Sequence, residues 1–134
     1  MTDSRLEMLK QIAAGMAAQF GGNCEVVVHD LTESSIDSSI VHIENGHITG
    51  RRLGDGPSAA VLNAVKHQDG PLEDHLAYLL KTDNGRVLKC STIYINDDQG
   101  RPRYILSINY DMTNLLALEG SIHSHELSAR RGNP

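Results

Sequence analysis

The chain has 134 residues, which is the length of a single domain. Hydrophobic residues make up 40% and charged residues 22% of the composition, which favours a packed globular protein over a disordered or fibrous one. Asp and Glu (17) outnumber Lys and Arg (12), the net charge is -5, and no basic run stands out, which argues against a large nucleic-acid-binding surface.

The first predicted element is an amphipathic helix over residues 4–20, followed by a strand. Ser4 and Glu7 form the pattern of a capping box, and Gly21-Gly22 offers a left-handed residue at which the helix can end. The helical spacing is carried by Leu6, Leu9, Ile12, Ala13, Met16 and Phe20. The β-branched run that follows predicts a strand over 24–31.

The second predicted strand covers residues 39–44 and is followed by Asn45-Gly46. Because both central residues of a type I′ turn need positive φ, this dipeptide predicts a hairpin that returns through His47 to Thr49. After a glycine-rich loop, Ser58 can cap a short helix that continues to about His67. The segment Asp69-Gly70-Pro71 is predicted to break that helix.

Three more strands are predicted over 76–82, 87–96 and 103–111, joined by two polar turns. A further helix is predicted from Met112 or Thr113, and the end of the chain is polar. Its apolar residues are Leu115, Leu116, Leu118 and Ile122. The order of elements predicts an α+β fold, with a five-stranded antiparallel sheet flanked by helices.

Four segments resemble the YheO-like PAS domain in order and spacing, from about Leu6 to Thr113. They are FGGNCEVVVHDL (20–31), SIVHIENGHITGRRLGD (39–55), GRVLKCSTIYINDDQGRP (85–102) and SINYDMT (107–113). The resemblance implies a PAS-like fold and a ligand-sensing role, as the N-terminal half of a bacterial transcriptional regulator with a C-terminal helix-turn-helix domain.

The resemblance also suggests how the chain is divided. Residues 1–113 are expected to form the sensory domain with its N-terminal helix, and residues 114–134 a helix and polar tail that lead towards the DNA-binding domain. Only about 20 residues follow Asp111, too few for a tri-helical DNA-binding unit. Either the chain is a fragment of a longer regulator, or the natural protein has lost its output domain. We expect a fragment that contacts DNA only through a C-terminal domain absent from it.

The sequence also predicts the cellular location of the protein and the state of its two cysteines. No stretch reaches the roughly 20 apolar residues of a membrane span, and the N-terminus lacks the layout of a secretory signal. A cytoplasmic protein without membrane contact is expected. Cys24 and Cys90 are then expected to be buried, reduced thiols.

Two groups of polar residues are candidates for ligand contacts in the first half of the chain. His29 and Asp30 point to opposite sides of the predicted sheet, so His29 either packs under a helix or anchors a ligand, while Asp30 can cap the next turn. Asn45 and His47 belong to the N-G-H-x-T-G stretch of the family. Turn chemistry explains Asn45, whereas His47 is left free for a ligand or a loop contact.

The last two strands supply the other candidates, which are Ser91, Thr92, Asn109 and Asp111. Polar groups among apolar neighbours need partners, and such a cluster can orient a ligand. By spacing, Asn109 and Asp111 share a face, whereas Ser91 and Thr92 do not. The alternative is that they are strand-edge hydroxyls and a helix N-cap at Asp111.

Metal, cofactor and catalytic functions find little support. His42 with Glu44, and His123 with His125 and Glu126, each offer two metal ligands, with no further ligand assignable. Cys24 lies at the start of the first predicted strand and not on a helix that faces a flavin, so it is not expected to be a flavin-adduct cysteine, and no haem motif is present. Without a nucleophile elbow, we expect neither an enzyme nor a bound cofactor.

We therefore predict a sensory domain that binds a small polar metabolite and signals to a partner domain. The alternative is an interaction module that dimerises without a ligand. In either case the apolar residues of the first and last helices predict a homodimer.

Overall fold

An antiparallel sheet of five strands forms the centre of the computed structural model, which describes residues 3–32, 36–67 and 72–119. The helices are α1 (Ser4–Phe20), α2 (Ala59–Lys66) and α3 (113–119). The strands are β1 (Cys24–Asp30), β2 (Ile40–Glu44), β3 (His75–Lys81), β4 (Val87–Asn96) and β5 (Pro102–Asp111). Short 3₁₀ helices cover Ile36–Ser38 and Gly46–Ile48.

The strand order in the sheet is β2-β1-β5-β4-β3, so the first strand pairs with the last one in the middle. Every neighbouring pair is antiparallel. The predicted α+β fold with five antiparallel strands is confirmed, and each strand lies within one residue of its predicted ends. Apolar alternation and the two polar turns after β3 and β4 were sufficient to locate the strands.

The N-cap of α1 lies one residue before the cap that the sequence predicts. Asp3 is the N-cap, with extended backbone, and its Oδ1 accepts a hydrogen bond from the Arg5 N–H at 3.0 Å. The predicted capping box from Ser4 to Glu7 is therefore wrong, because the carboxylate of Asp3 satisfies the free N–H instead. The predicted end is confirmed, since Gly21 follows the helix with φ of 82°.

The segment after β2 differs from the predicted hairpin. Asn45 adopts the left-handed conformation with φ of 55°, and Gly46–Ile48 then form a 3₁₀ turn instead of a returning strand. Gly46 is needed for space, because a Cβ there would lie 2.9 Å from the Arg51 carbonyl oxygen. The dipeptide thus starts a tight loop that folds back over the sheet.

The sheet is covered on both faces, and β1 is buried along its whole length. One face, called the α1 face, packs on the helix through Leu9, Ala13, Cys24, Val26, Val28, Tyr104 and Leu106. The opposite face, called the cavity face, carries Glu25, Val27 and His29 of β1. The loop from Thr49 to Ser58 and helix α2 lie over the cavity face.

The described parts of α2 and α3 agree with the helices that the sequence predicts. Ser58 caps α2 as predicted, its Oγ accepting from the Val61 N–H at 3.3 Å. Helix α3 begins at Thr113. The predicted breaker Asp69-Gly70-Pro71, Ile122 and the polar tail all lie outside the described residues.

Candidate functional site

A small, partly enclosed cavity lies on the cavity face, between the sheet and the loop that precedes α2. Its volume is about 60 Å³. It is lined by His29, Thr49, Arg51, Pro57, Ser58, Val61, Tyr78, Leu80, Leu88, Cys90, Thr92, Ser107 and Asn109. Since a site for one water needs roughly 10–15 Å³, the cavity can hold several waters or a group of a few heavy atoms.

Strand register explains why polar residues from distant parts of the chain meet there. Residues directly opposite one another in antiparallel strands share a face of the sheet. Glu25 lies opposite Asn109, and Asn109 lies opposite Cys90 on its other side. Two residues further along β4, on the same face of the sheet, Thr92 lies opposite Ser107 of β5. This register places amide, thiol and hydroxyl groups together under the loop.

His29 is a buried imidazole that borders the cavity. It is 1% exposed, and its Nδ1 lies 2.8 Å from the Ser39 hydroxyl. Burial, helped by the nearby positive charge of Arg51, lowers the pKa of His29 to about 4. The ring is therefore neutral at pH 7. Its Nε2 has no hydrogen-bond partner among the described residues.

Glu25 fixes the loop to the sheet, and its role was missed by the sequence analysis. Its side chain is fully buried and accepts three hydrogen bonds. The Thr49 N–H and hydroxyl donate to Oε2 at 3.0 and 2.7 Å, and Asn109 Nδ2 donates to Oε1 at 2.7 Å. A carboxylate within the otherwise apolar run Cys24–Val28 was the signal that could have revealed it.

Arg51 is the second important residue that the sequence analysis missed. It is half-buried and lines the cavity, and its backbone N–H donates to the Thr49 hydroxyl at 3.3 Å. No described residue forms a hydrogen bond or an ion pair with its guanidinium group. Its position in a glycine-rich loop gave no sequence signal, because the loop conformation depends on the contact with Glu25.

Two hydroxyl groups meet on the β3 and β4 side of the cavity. The Tyr78 and Thr92 hydroxyl oxygens lie 3.2 Å apart, so one donates to the other. The second hydroxyl hydrogen of the pair is then available to another acceptor.

Burial raises the pKa of the neighbouring Cys90 thiol to about 11, so this thiol is protonated at neutral pH. Cys24 and Cys90 are both buried free thiols, as predicted.

Of the seven candidate residues, the structure brings three to the cavity, namely His29, Thr92 and Asn109. Asn45 and His47 lie away from it. Asn45 Nδ2 donates to the Cys24 carbonyl at 2.9 Å, and His47 is exposed on a shallow surface.

Ser91 and Asp111 also lie outside the cavity. The Ser91 hydroxyl accepts from the Ala77 N–H at 2.9 Å, and its strand position places it opposite Ile108 on the α1 face. Asp111 accepts from the Thr113 N–H and hydroxyl at the start of α3, but it lies one residue before the N-cap position, because the first helical hydrogen bond is accepted by the Met112 carbonyl. On the same pattern, Asp30 caps the turn at Thr32, whose N–H donates to it at 2.9 Å.

The metal candidates do not form a ligand cluster in the part of the chain that the structure describes. No group of three or more His, Cys, Asp or Glu residues is placed to hold a metal ion there. His42 Nε2 and Glu44 Oε2 lie 2.8 Å apart as a pair. His123, His125 and Glu126 lie outside the described residues. No helix of the described segments is both long and apolar enough to cross a membrane.

Comparison with known proteins gives a family match over most of the chain. The model of the YheO-like PAS domain family matches residues 1–125. The protein YheO of Escherichia coli (strain K12) is 27% identical over 108 residues, covering 80% of this chain and 44% of that protein. The transcriptional regulator DauR of Pseudomonas aeruginosa is 29% identical over 114 residues, covering 83% of this chain and 49% of DauR. The chain thus spans about half the length of these relatives or less.

Two solved structures show a weaker, distant similarity. One is an RNA-binding light-oxygen-voltage receptor, with 14% identity and a TM-score of 0.49, covering 100% of this chain and 42% of that one. The other is the light-oxygen-voltage domain of the photoreceptor Aureochrome1, with 18% identity and a TM-score of 0.46, covering 92% of this chain and 96% of that one.

Proposed function

Because this chain belongs to the YheO-like PAS domain family, whose domains are sensory or regulatory, we propose that it senses a small polar metabolite. The metabolite binds in the cavity on the sheet face opposite α1. The observation that carries this proposal is the set of polar groups at the cavity that have no hydrogen-bond or ion-pair partner among the described residues, namely His29 Nε2 and the Arg51 guanidinium. Polar groups that face a largely buried cavity are stabilised when a ligand supplies their hydrogen bonds.

Strand β5 connects the cavity to the start of helix α3. Asn109 donates to Glu25 under the cavity, and two residues later Asp111 accepts from the Thr113 N–H at the start of α3. The Arg86 Nε and Nη2 donate to Asp111 at 2.9 and 2.7 Å, so the start of α3 is held to the β3–β4 turn. A ligand that shifts β5 would therefore change the geometry at the start of α3.

The relative DauR supports a role in transcription for the whole protein. We propose that the sensory domain signals through α3 to a DNA-binding domain outside this chain, in a cytoplasmic regulator. The domain itself has no catalytic role and no resident cofactor in this proposal. DNA contact is assigned to the other domain, because the domain carries a net charge of -5.

The proposal is tested by mass spectrometry of metabolites that the purified domain retains from a bacterial extract. The substitution Val61→Phe adds volume at the cavity wall, whereas Val65→Phe, one turn further along α2, changes a residue that does not line it. Wild type and Val65→Phe should retain the same small polar molecule, and Val61→Phe should lose it. Equal retention by all three proteins, or by none, would contradict a sensory cavity at this place.

A second candidate function is dimerisation without a ligand, and exposed apolar side chains favour it. Met8 and Ile12 lie one turn apart on the outer side of α1 and are 53% and 42% exposed. Leu115, Leu116 and Leu118 of α3 are exposed as well. We propose a homodimer formed by α1, α3 or both, since surfaces of this kind are usually covered. A dimer is compatible with sensing, so ligand retention discriminates the two functions.

A further inference from the structure

The cavity carries one positive charge that the described protein does not neutralise. Arg51 is the only Lys or Arg among the lining residues, and none of the described carboxylates lies within ion-pair distance of its guanidinium. Glu25, an acidic residue on this face, has both oxygens bonded to Thr49 and Asn109. The guanidinium therefore has five N–H donors and no acceptor in the part of the chain that the structure describes.

A second group at the cavity wall independently points to an acceptor in the ligand. His29 is 1% exposed, yet its Nε2 contacts no described hydrogen-bond partner, whereas its Nδ1 is satisfied by Ser39. When the Ser39 hydroxyl donates to Nδ1, the neutral ring carries its hydrogen on Nε2 and can donate to an anion. Ser58 contributes in the same way, since its oxygen accepts from Val61 and its hydrogen is free.

The charge and shape of this donor set favour a carboxylate over a phosphate. A neutral His29 leaves Arg51 as the single full positive charge at the cavity, which matches a monoanion. Phosphate carries between one and two negative charges near pH 7, and its sites use several cations or backbone amides. A planar carboxylate also fits the guanidinium fork with two parallel hydrogen bonds.

Resting on the proposed function, we propose that the sensed metabolite carries a carboxylate group, which pairs with the Arg51 guanidinium and accepts a hydrogen bond from His29. The carboxylate occupies the cavity of about 60 Å³, which limits the buried part of the ligand to a few heavy atoms. In this proposal Arg51, in the loop that Glu25 fixes to the sheet, is the residue that recognises the negative charge of the ligand.

The inference is tested by titrating the ¹⁵N-labelled domain with propionate, with its uncharged analogue propionamide and with inorganic phosphate, followed by NMR. Propionate should shift the amide signals of Thr49 and Arg51 in a saturable manner, and propionamide and phosphate should bind at least about tenfold more weakly. Arg51→Gln should raise the Kd for propionate about tenfold or more, with Arg51→Lys in between. The matched control is Arg52→Gln, because Arg52 is exposed and does not line the cavity.

Each other outcome overturns the inference. Equal binding of propionamide, tighter binding of phosphate, or equal effects of Arg51→Gln and Arg52→Gln would show that no carboxylate is read at Arg51. If a neutral metabolite from the extract binds wild type and Arg51→Gln with the same Kd, the carboxylate is wrong and the proposed sensory function stands. If neither propionate nor any extract component binds, both are wrong.

Discussion

At the scale of single residues, the cavity face is defined by polar groups that the apolar sheet would otherwise exclude. Glu25 is stabilised by three donors, whereas among the described residues only one nitrogen of His29 has a hydrogen-bond partner. The first arrangement stabilises the fold, and the second leaves a donor or acceptor for a ligand. Mutations at the two residues should therefore have different consequences.

The pH dependence of stability tests the environment of His29. Its folded pKa of about 4 lies below the ordinary value of 6.5, so the unfolded chain takes up the proton first as the pH falls. The contribution of His29 is complete above pH 6.5 and is lost progressively towards pH 4. Urea unfolding should give about 2 kcal/mol less stability at pH 5 than at pH 7 from this group.

The control for this prediction replaces histidines singly. His29→Gln should remove most of that difference between pH 7 and pH 5, whereas His67→Gln, at an exposed residue after α2, should retain it. The same pH dependence in His29→Gln as in wild type would show that another group is responsible.

Removal of the Asn109 amide tests the Glu25 cluster. Asn109→Ala leaves Glu25 Oε1 without its donor in a buried position, which should lower the free energy of unfolding by about 1–3 kcal/mol. Asn96→Ala, at the exposed end of β4, should change it by less than about 0.5 kcal/mol. Equal losses in chemical denaturation would contradict a buried, satisfied Glu25.

At the scale of elements, local patterns located helices and strands, but they did not determine how loops and caps are built. Asn45-Gly46 suits a hairpin turn and also a left-handed residue before a 3₁₀ turn, so local preference alone could not choose between them. The choice depends on the Glu25 contact with Thr49, 24 residues away in sequence. The cap of α1 was missed for a similar reason, because Asp3 also bonds to a distant strand.

The candidate site was predictable only in part for the same physical reason. The alternation of β4 and β5 was sufficient to place Thr92 and Asn109 among apolar neighbours. The pairing of β1 with β5, which brings Glu25 opposite Asn109, joins residues 84 apart in sequence. Non-local pairing of this kind leaves no periodic signal in the chain, so Arg51 and Glu25 were not identified.

The attachment of α1 to the sheet can be tested at Tyr104. This ring is fully buried, and its hydroxyl donates to Asp3 Oδ2 at 2.8 Å. Tyr104→Phe should lower stability by about 1 kcal/mol and increase hydrogen exchange in the first turn of α1. Tyr110→Phe is the matched control on the same strand face, because no described residue hydrogen-bonds to the Tyr110 hydroxyl. Similar behaviour of the two variants would contradict the anchoring role of Asp3.

The start of α3 depends on Asp111. Burial opposes ionisation of this carboxyl, but hydrogen bonds from Thr113 and Arg86 outweigh it, and its pKa lies below the ordinary value. Arg86→Gln should therefore raise the pKa of Asp111 and increase hydrogen exchange at the first residues of α3, as measured by NMR. Arg101→Gln, at an exposed residue of the next turn, should leave both unchanged. An unaltered Asp111 pKa in Arg86→Gln would contradict this coupling.

At the scale of the whole molecule, the described residues form one sheet with α1 on one face and a cavity of about 60 Å³ on the other. The helix presents Met8 and Ile12 outwards, on the side away from the cavity. Ligand binding and self-association are therefore assigned to opposite faces, which would allow both in the same protein.

Self-association is tested by sedimentation equilibrium at about 10 µM. The wild-type domain should have the mass of a dimer, and Ile12→Glu or Leu116→Glu should convert it to a monomer by placing a charge on the apolar surface. Leu53→Glu, at an exposed loop residue, should remain dimeric. A monomer mass for the wild type would contradict the homodimer without affecting the cavity.

The most direct test of the central claim is a crystal structure of the domain with the metabolite that it retains from a bacterial extract. We expect electron density for a small polar molecule on the cavity face, in contact with His29, Arg51 and Thr92. Density for the metabolite on the α1 face or on the outer side of α1, with protein side chains filling the space between His29 and Thr92, would contradict it.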